Sequence, residues 1–111
     1  MVYANLSAAD LTEAALINAD LSNADLTGAK LINANLTGTN FKGADLTYAD
    51  LTLANLTRSN LKGASLFDAN LSEVKLSGAN LLGADLSYTF MEGAILCNTT
   101  MPDGSVIYSG C

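Results

Sequence analysis

Leucine returns every five residues along almost the whole of this 111-residue chain, and alanine stands two positions before it. The stretch ADLTYADLTLANL at 44–56 shows the rhythm: Ala44 precedes Leu46, Ala49 precedes Leu51, and Ala54 precedes Leu56. Nineteen such markers run from Leu6 to Leu96 without an insertion. Seventeen are leucine, the exceptions being Phe41 and Met91. Fifteen have the alanine, with Thr39, Ser59, Val74 and Thr89 in its place elsewhere. Self-similarity at a fixed period is the signature of a repeat architecture.

A period of five fits neither common element. On an α-helix, five residues advance about 500°, so successive leucines would drift around every side. On a straight strand they would alternate between faces. The Ala-to-Leu step of two keeps that pair on one strand face, and the following step of three keeps the next pair inside only if the chain bends at each unit. A quarter turn per unit closes a square coil of twenty residues, and coils then stack about 4.8 Å apart. Leu6, Leu26, Leu46, Leu66 and Leu86 fall into one column, alanine fills the narrow corners, and residues such as Thr47 and Tyr48 face outward.

The run ANLTGTNFKGADLTYADLTLANLTRSNLKGASL resembles the A(D/N)LXX motif of the pentapeptide-repeat family, and the likeness covers residues 4–98. It implies an all-β fold, a right-handed quadrilateral parallel β-helix of just under five coils, roughly 24 Å long at the sheet spacing. The division expected is a β-helix over 1–98 and a C-terminal cap over 99–111. In CNTTMPDGSVIYSGC the repeat is left behind, and Met101-Pro-Asp-Gly104 reads as a tight turn. Ser105 to Tyr108 would return over the last coil, with Met101, Val106 and Ile107 as apolar plugs. The T-x-M-P-D-G ending resembles that of cyanobacterial members, which implies a cyanobacterial source. Met1 to Tyr3 offer little cover at the other end, so an end-to-end homodimer is one expectation there.

Chemistry of the usual kinds finds few residues. The chain has no histidine, which removes Ser-His-Asp and Cys-His arrangements and the commonest general base. No catalytic residue, cofactor or metal ligand set is expected, and a flat-sided prism offers no concave pocket. Asp25 and Asp45, one coil apart, read as a solvated ladder rather than a Ca²⁺ site. The N-x-(S/T) sequons at Asn5, Asn35, Asn55 and Asn70 follow from the repeat itself. Asn columns such as Asn35/Asn55 and Asn40/Asn60/Asn80 read as hydrogen bonding along the wall. Cys97 and Cys111 can form a disulfide that pins the tail; in a reducing compartment both would be thiols. The first residues lack a basic start and an apolar run, so the expected setting is the cytoplasm. Periplasm or thylakoid lumen follows if a leader has been removed.

Charge supplies the one asymmetry. The net charge is −6, which disfavours nucleic acid and anionic membrane as partners. Assigned to four sides in rotation, sides one and two carry Asp10, Glu13, Asp25, Asp45, Asp50, Asp68, Glu73, Asp85 and Glu92 against Lys30 alone. Sides three and four carry Asp20 against Lys42, Arg58, Lys62 and Lys75. The expected function is a rigid, non-enzymatic scaffold that binds a protein partner through this acidic edge, with Asp10, Asp25, Asp45, Asp50, Glu73 and Asp85 as its candidate residues. One alternative is DNA mimicry toward a topoisomerase such as DNA gyrase, because the resemblance extends to members with that activity. Against it, duplex DNA of the same length would carry about fourteen charges, and the edge carries a net eight. A purely structural or self-associating element is the other alternative.

Overall fold

The computed structural model describes residues 2–108, and it bends the chain at every unit. Each unit contributes one bridging residue to a parallel ladder with a partner twenty positions on, from Asn5↔Asp25 through to Asn80↔Thr100. The coil therefore holds twenty residues, and the columns are those expected from the period. Three kinds of rung recur up the stack, one of them from the turn residue, as Ala8 N–H to the Thr27 carbonyl at 2.8 Å. The leucine N–H donates to the next coil, as Leu6 does to the Asp25 carbonyl at 2.7 Å, and Asp25 N–H donates back to the Ala4 carbonyl at 2.8 Å.

The bend is a four-residue turn from each leucine to the next alanine, closed by bonds such as Ala9 N–H to the Leu6 carbonyl at 3.0 Å. Its third residue takes positive φ, the requirement of a type II turn. Seven of these positions are glycine. Gly43 shows a second use, because a Cβ there would run into Asn23 Oδ1 of the coil below. Elsewhere asparagine tolerates the conformation, as at Asn23 and Asn33, but Tyr48, Leu53, Arg58 and Tyr88 also adopt it.

The interior is columns of leucine and alanine, fully buried from Leu21 to Leu81 with Phe41 among them. Threonine in an alanine position is tolerated because its hydroxyl finds a carbonyl in the coil below. Thr39 Oγ1 donates to Leu16 O at 2.7 Å, and Thr99 Oγ1 to Leu76 O at 2.6 Å. Ser59 stands in the same column, yet its buried Oγ has no hydrogen-bond partner among the described residues. A buried hydroxyl without a bond costs about 1–3 kcal/mol. Ser59→Ala is therefore expected to raise stability by about 1 kcal/mol, read from the denaturant midpoint. A loss would show that the hydroxyl is bonded after all.

The ends differ from the middle. Leu6, Leu11 and Leu16 of the first coil are only half-buried, and so are Leu86, Met91 and Leu96 of the last. At the C-terminal end the ladder continues beyond residue 98, where the repeat was expected to stop. Met101 occupies the next marker position, Thr100 bridges Asn80, and Gly83 N–H reaches the Pro102 carbonyl at 3.0 Å. The expected tight turn follows, closed by Gly104 N–H on the Met101 carbonyl at 2.9 Å. It joins β1 (Thr99–Thr100) to β2 (Val106–Ile107), paired antiparallel with Thr99 opposite Ile107. The lower edge of β1 is taken by Asn80, so β2 closes the upper edge of this one side. Val106 does not plug the interior as expected, being 39% exposed. Successive strand residues face opposite ways, so Ile107, half-buried, points inward at its expense.

Candidate functional site

Where Asp or Asn stands before the marker residue, it has a local task that explains the D/N of the repeat. Its side-chain Oδ1 accepts the backbone N–H two residues on, an Asx turn that steadies the bend. Asp25 accepts from Thr27 N–H at 3.0 Å, and Asp45 from Thr47 N–H at 3.0 Å. Asn35 and Asn55 do the same for Thr37 and Thr57. Where serine or threonine follows the leucine, its hydroxyl commonly adds a second bond, as from Thr57 Oγ1 to Asn55 Oδ1 at 2.6 Å. The Asn columns are bonded to the wall in this way: Asn40, Asn60 and Asn80 accept from Lys42, Lys62 and Leu82.

The candidate acids fall into two adjacent ladders. On side one, Asp25 bridges Asp45, Ser65 follows, and Asp85 completes the column. On side two, Lys30 lies between Asp10 and Asp50. Glu73 stands apart from both, at a turn position with φ 56°. Among the described residues no cluster of three or more His, Cys, Asp or Glu side chains is arranged to hold a metal ion. No cysteine among them is free; Cys111, the expected partner of Cys97, lies outside the described residues.

The same bonds hold several carboxyls below their ordinary range. For Asp10, Asp20, Asp25, Asp85 and Asp103 the largest cause is the neighbouring Ser or Thr hydroxyl, followed by the backbone N–H of that residue. A carboxyl with a depressed folded pKa stabilises the fold above its unfolded pKa, near 3.9, and this contribution is lost as pH falls through the folded value. Repulsion between stacked acids opposes the effect. We expect the melting temperature to hold steady from about pH 7 to 5 and to fall below about pH 4. A thermal melt series checks this, and a rise on acidification would mean that repulsion dominates.

A feature missed in the sequence lies at the corner between the two acidic sides. Tyr48, Phe67 and Tyr88 stack up the wall in edge-to-face contacts, with ring centroids 6.2 and 5.4 Å apart and interplanar angles of 84° and 74°. Phe67 is half-buried, while Tyr48 and Tyr88 are 59% and 77% exposed. Phe90, two residues beyond Tyr88, is 63% exposed. The signal was in the spacing, because positions 48, 67 and 88 become neighbours once a coil takes twenty residues. Tyr48 and Tyr88 also hold left-handed backbone at φ 61° and 59°, a conformation that costs a residue with a Cβ about 1–2 kcal/mol.

A stacked coil of five-residue units, with leucine inside and Asx turns at its bends, defines the class of solenoid to which this molecule belongs. The pentapeptide repeats family, in eight copies, matches residues 4–43, 24–63 and 64–101. The chain belongs to the pentapeptide-repeat family. It is similar to HetL, a pentapeptide-repeat protein involved in heterocyst differentiation regulation in the cyanobacterium Nostoc, with 36% identity and a TM-score of 0.66. That match covers 95% of this chain and 48% of HetL. A pentapeptide-repeat protein, Rfr23, from the cyanobacterium Cyanothece gives 38% identity and a TM-score of 0.67, over 81% of this chain and 58% of its own. A thylakoid-lumen member from Arabidopsis thaliana gives 29% identity and a TM-score of 0.70, over 93% and 68%. The chain thus spans about half the length of the first two. No curated protein matches the sequence. Among the described residues, no helix is long and apolar enough to cross a membrane.

Proposed function

We propose that this chain is a non-catalytic scaffold whose acidic edge binds a basic protein surface. One observation carries the reading. The Asx turn needs an oxygen at the position before leucine, and asparagine supplies it as well as aspartate does, at Asn5, Asn35, Asn55 and Asn70. The Asx turn itself therefore does not require the charge on Asp25, Asp45, Asp50 and Asp85, and that charge gathers on two adjacent sides. Like charge on one edge steers association with an opposite surface. The likeness to HetL, a protein involved in heterocyst differentiation regulation, supports a role in regulation.

The test is capture from a cyanobacterial lysate by this chain and by a variant with Asp25, Asp45, Asp50 and Asp85 all changed to Asn. Far-UV circular dichroism confirms that the variant is folded. A partner retained by the original and lost by the variant is the expected result. DNA gyrase in that role would turn the reading into topoisomerase mimicry. Equal capture by both proteins, or by neither, would overturn it.

A further inference from the structure

We propose that the corner carrying Tyr48, Phe67, Tyr88 and Phe90 is the docking surface for an arginine-bearing basic segment of a partner protein; this rests on the acidic edge being the contact surface. The edge-to-face ladder leaves ring surface of both tyrosines open to solvent, and Phe67 anchors the two from between. Aromatic side chains exposed in one contiguous patch mark interaction sites far more often than single exposed residues do. Nothing in the turn asks for tyrosine here, since glycine serves the same column at Gly28 with φ 68°.

Charge selects the occupant. From the third coil to the fifth, the columns flanking the rings carry Asp45 and Asp85 on one side, Asp50 on the other and Asp68 between, with no lysine or arginine among them. An apolar partner would strip water from these carboxylates without replacing it. Nucleic acid would be repelled, and a second copy would set acid against acid. Arginine meets both chemistries at once, because its planar guanidinium stacks on aromatic faces and forks onto carboxylates. Lysine offers only a compact, strongly hydrated charge. Tyr48 and Tyr88 are two coil steps apart, about 10 Å. An extended chain covers that distance in about three residues, so arginines two or three positions apart reach both rings.

The experiment uses the full chain and fluorescently labelled short peptides in which arginine, lysine or glutamate alternates with serine, followed by anisotropy at low and physiological salt. Two variants separate this proposal from the reading beneath it. Tyr48→Asn with Tyr88→Asn removes the rings and keeps a residue that tolerates the left-handed turn, as Asn23 and Asn33 do. Asp45→Asn with Asp50→Asn and Asp85→Asn removes charge and keeps the Asx oxygens. The expected result is binding of the arginine peptide, with the lysine peptide and the tyrosine variant each weaker by about five-fold. Arginine and lysine peptides binding equally, or a tyrosine variant that binds like the original, would overturn the proposal. If the aspartate variant alone weakens binding, the acidic edge stands and the aromatic corner falls. If neither variant weakens it, or no peptide binds, both fall.

Discussion

Leu51→Ala is expected to cost about 3 kcal/mol of stability, and Leu11→Ala, forty residues earlier in the same column, less than half of that. The side chains are chemically identical and hold the same register, so only their level in the stack differs. Leu51 is fully buried, with Leu31 below and Leu71 above it. Both neighbouring coils are tied to its own by backbone ladders, and these prevent the walls from closing around a missing isobutyl group. The cavity therefore persists, and the cavity contribution adds to the lost transfer free energy. Leu11 is half-buried in the open first coil, where water already meets part of the side chain and fills the space left. Urea unfolding of the two variants measures the difference, and amide exchange should place the Leu11 effect in the first coil. Equal losses would mean that the first coil is as well covered as the third.

The second large effect concerns the wall. Asn35→Ala combined with Asn55→Ala is expected to cost about 2 kcal/mol, because each removes a side-chain acceptor that holds a backbone N–H and a hydroxyl. Asn35→Asp with Asn55→Asp should stay within about 0.5 kcal/mol of the original at neutral pH, since the acceptor oxygen survives. The bonds concerned are those of Asn35 Oδ1 from Thr37 and of Asn55 Oδ1 from Thr57, each from the backbone N–H and the hydroxyl. The comparison separates turn chemistry from recognition: a recognition role would leave both double variants equally stable. The result also bears on the acidic edge, where the same exchange is made in the opposite direction.

Much of this was legible in advance because a five-residue register without insertions leaves few geometries. The two-plus-three rhythm places every marker from Leu6 to Leu96 inside a bending chain, and the twenty-residue ladder follows. The alternation of acid and asparagine could be seen as a column pattern and the asparagines read as wall hydrogen bonding, though the Asx turn that carries it could not. An Asx turn depends on where Oδ1 lies relative to the N–H two residues on, and the spacing of letters does not report that. The ladder runs past residue 98 for a related reason. Thr99, Thr100 and Met101 depart from A-D-L in identity, but Met101 keeps the marker register and the backbone ladder accepts it.

By itself, the sequence determined the coil: its period, its columns, its leucine interior and the charge carried by each side. These are properties of repetition, in which each unit makes the same contacts as the last. Only the tertiary structure decided what depends on neighbours one coil away. It left Ser59 Oγ without a hydrogen-bond partner among the described residues while Thr39 and Thr99 in the same column found carbonyls. It turned Val106 outward, left the first coil's leucines half-covered, and brought Tyr48, Phe67 and Tyr88 into one ladder. Each is a contact between residues about twenty positions apart or at a chain end. Their existence depends on stacking distance and side-chain direction, which no local pattern encodes.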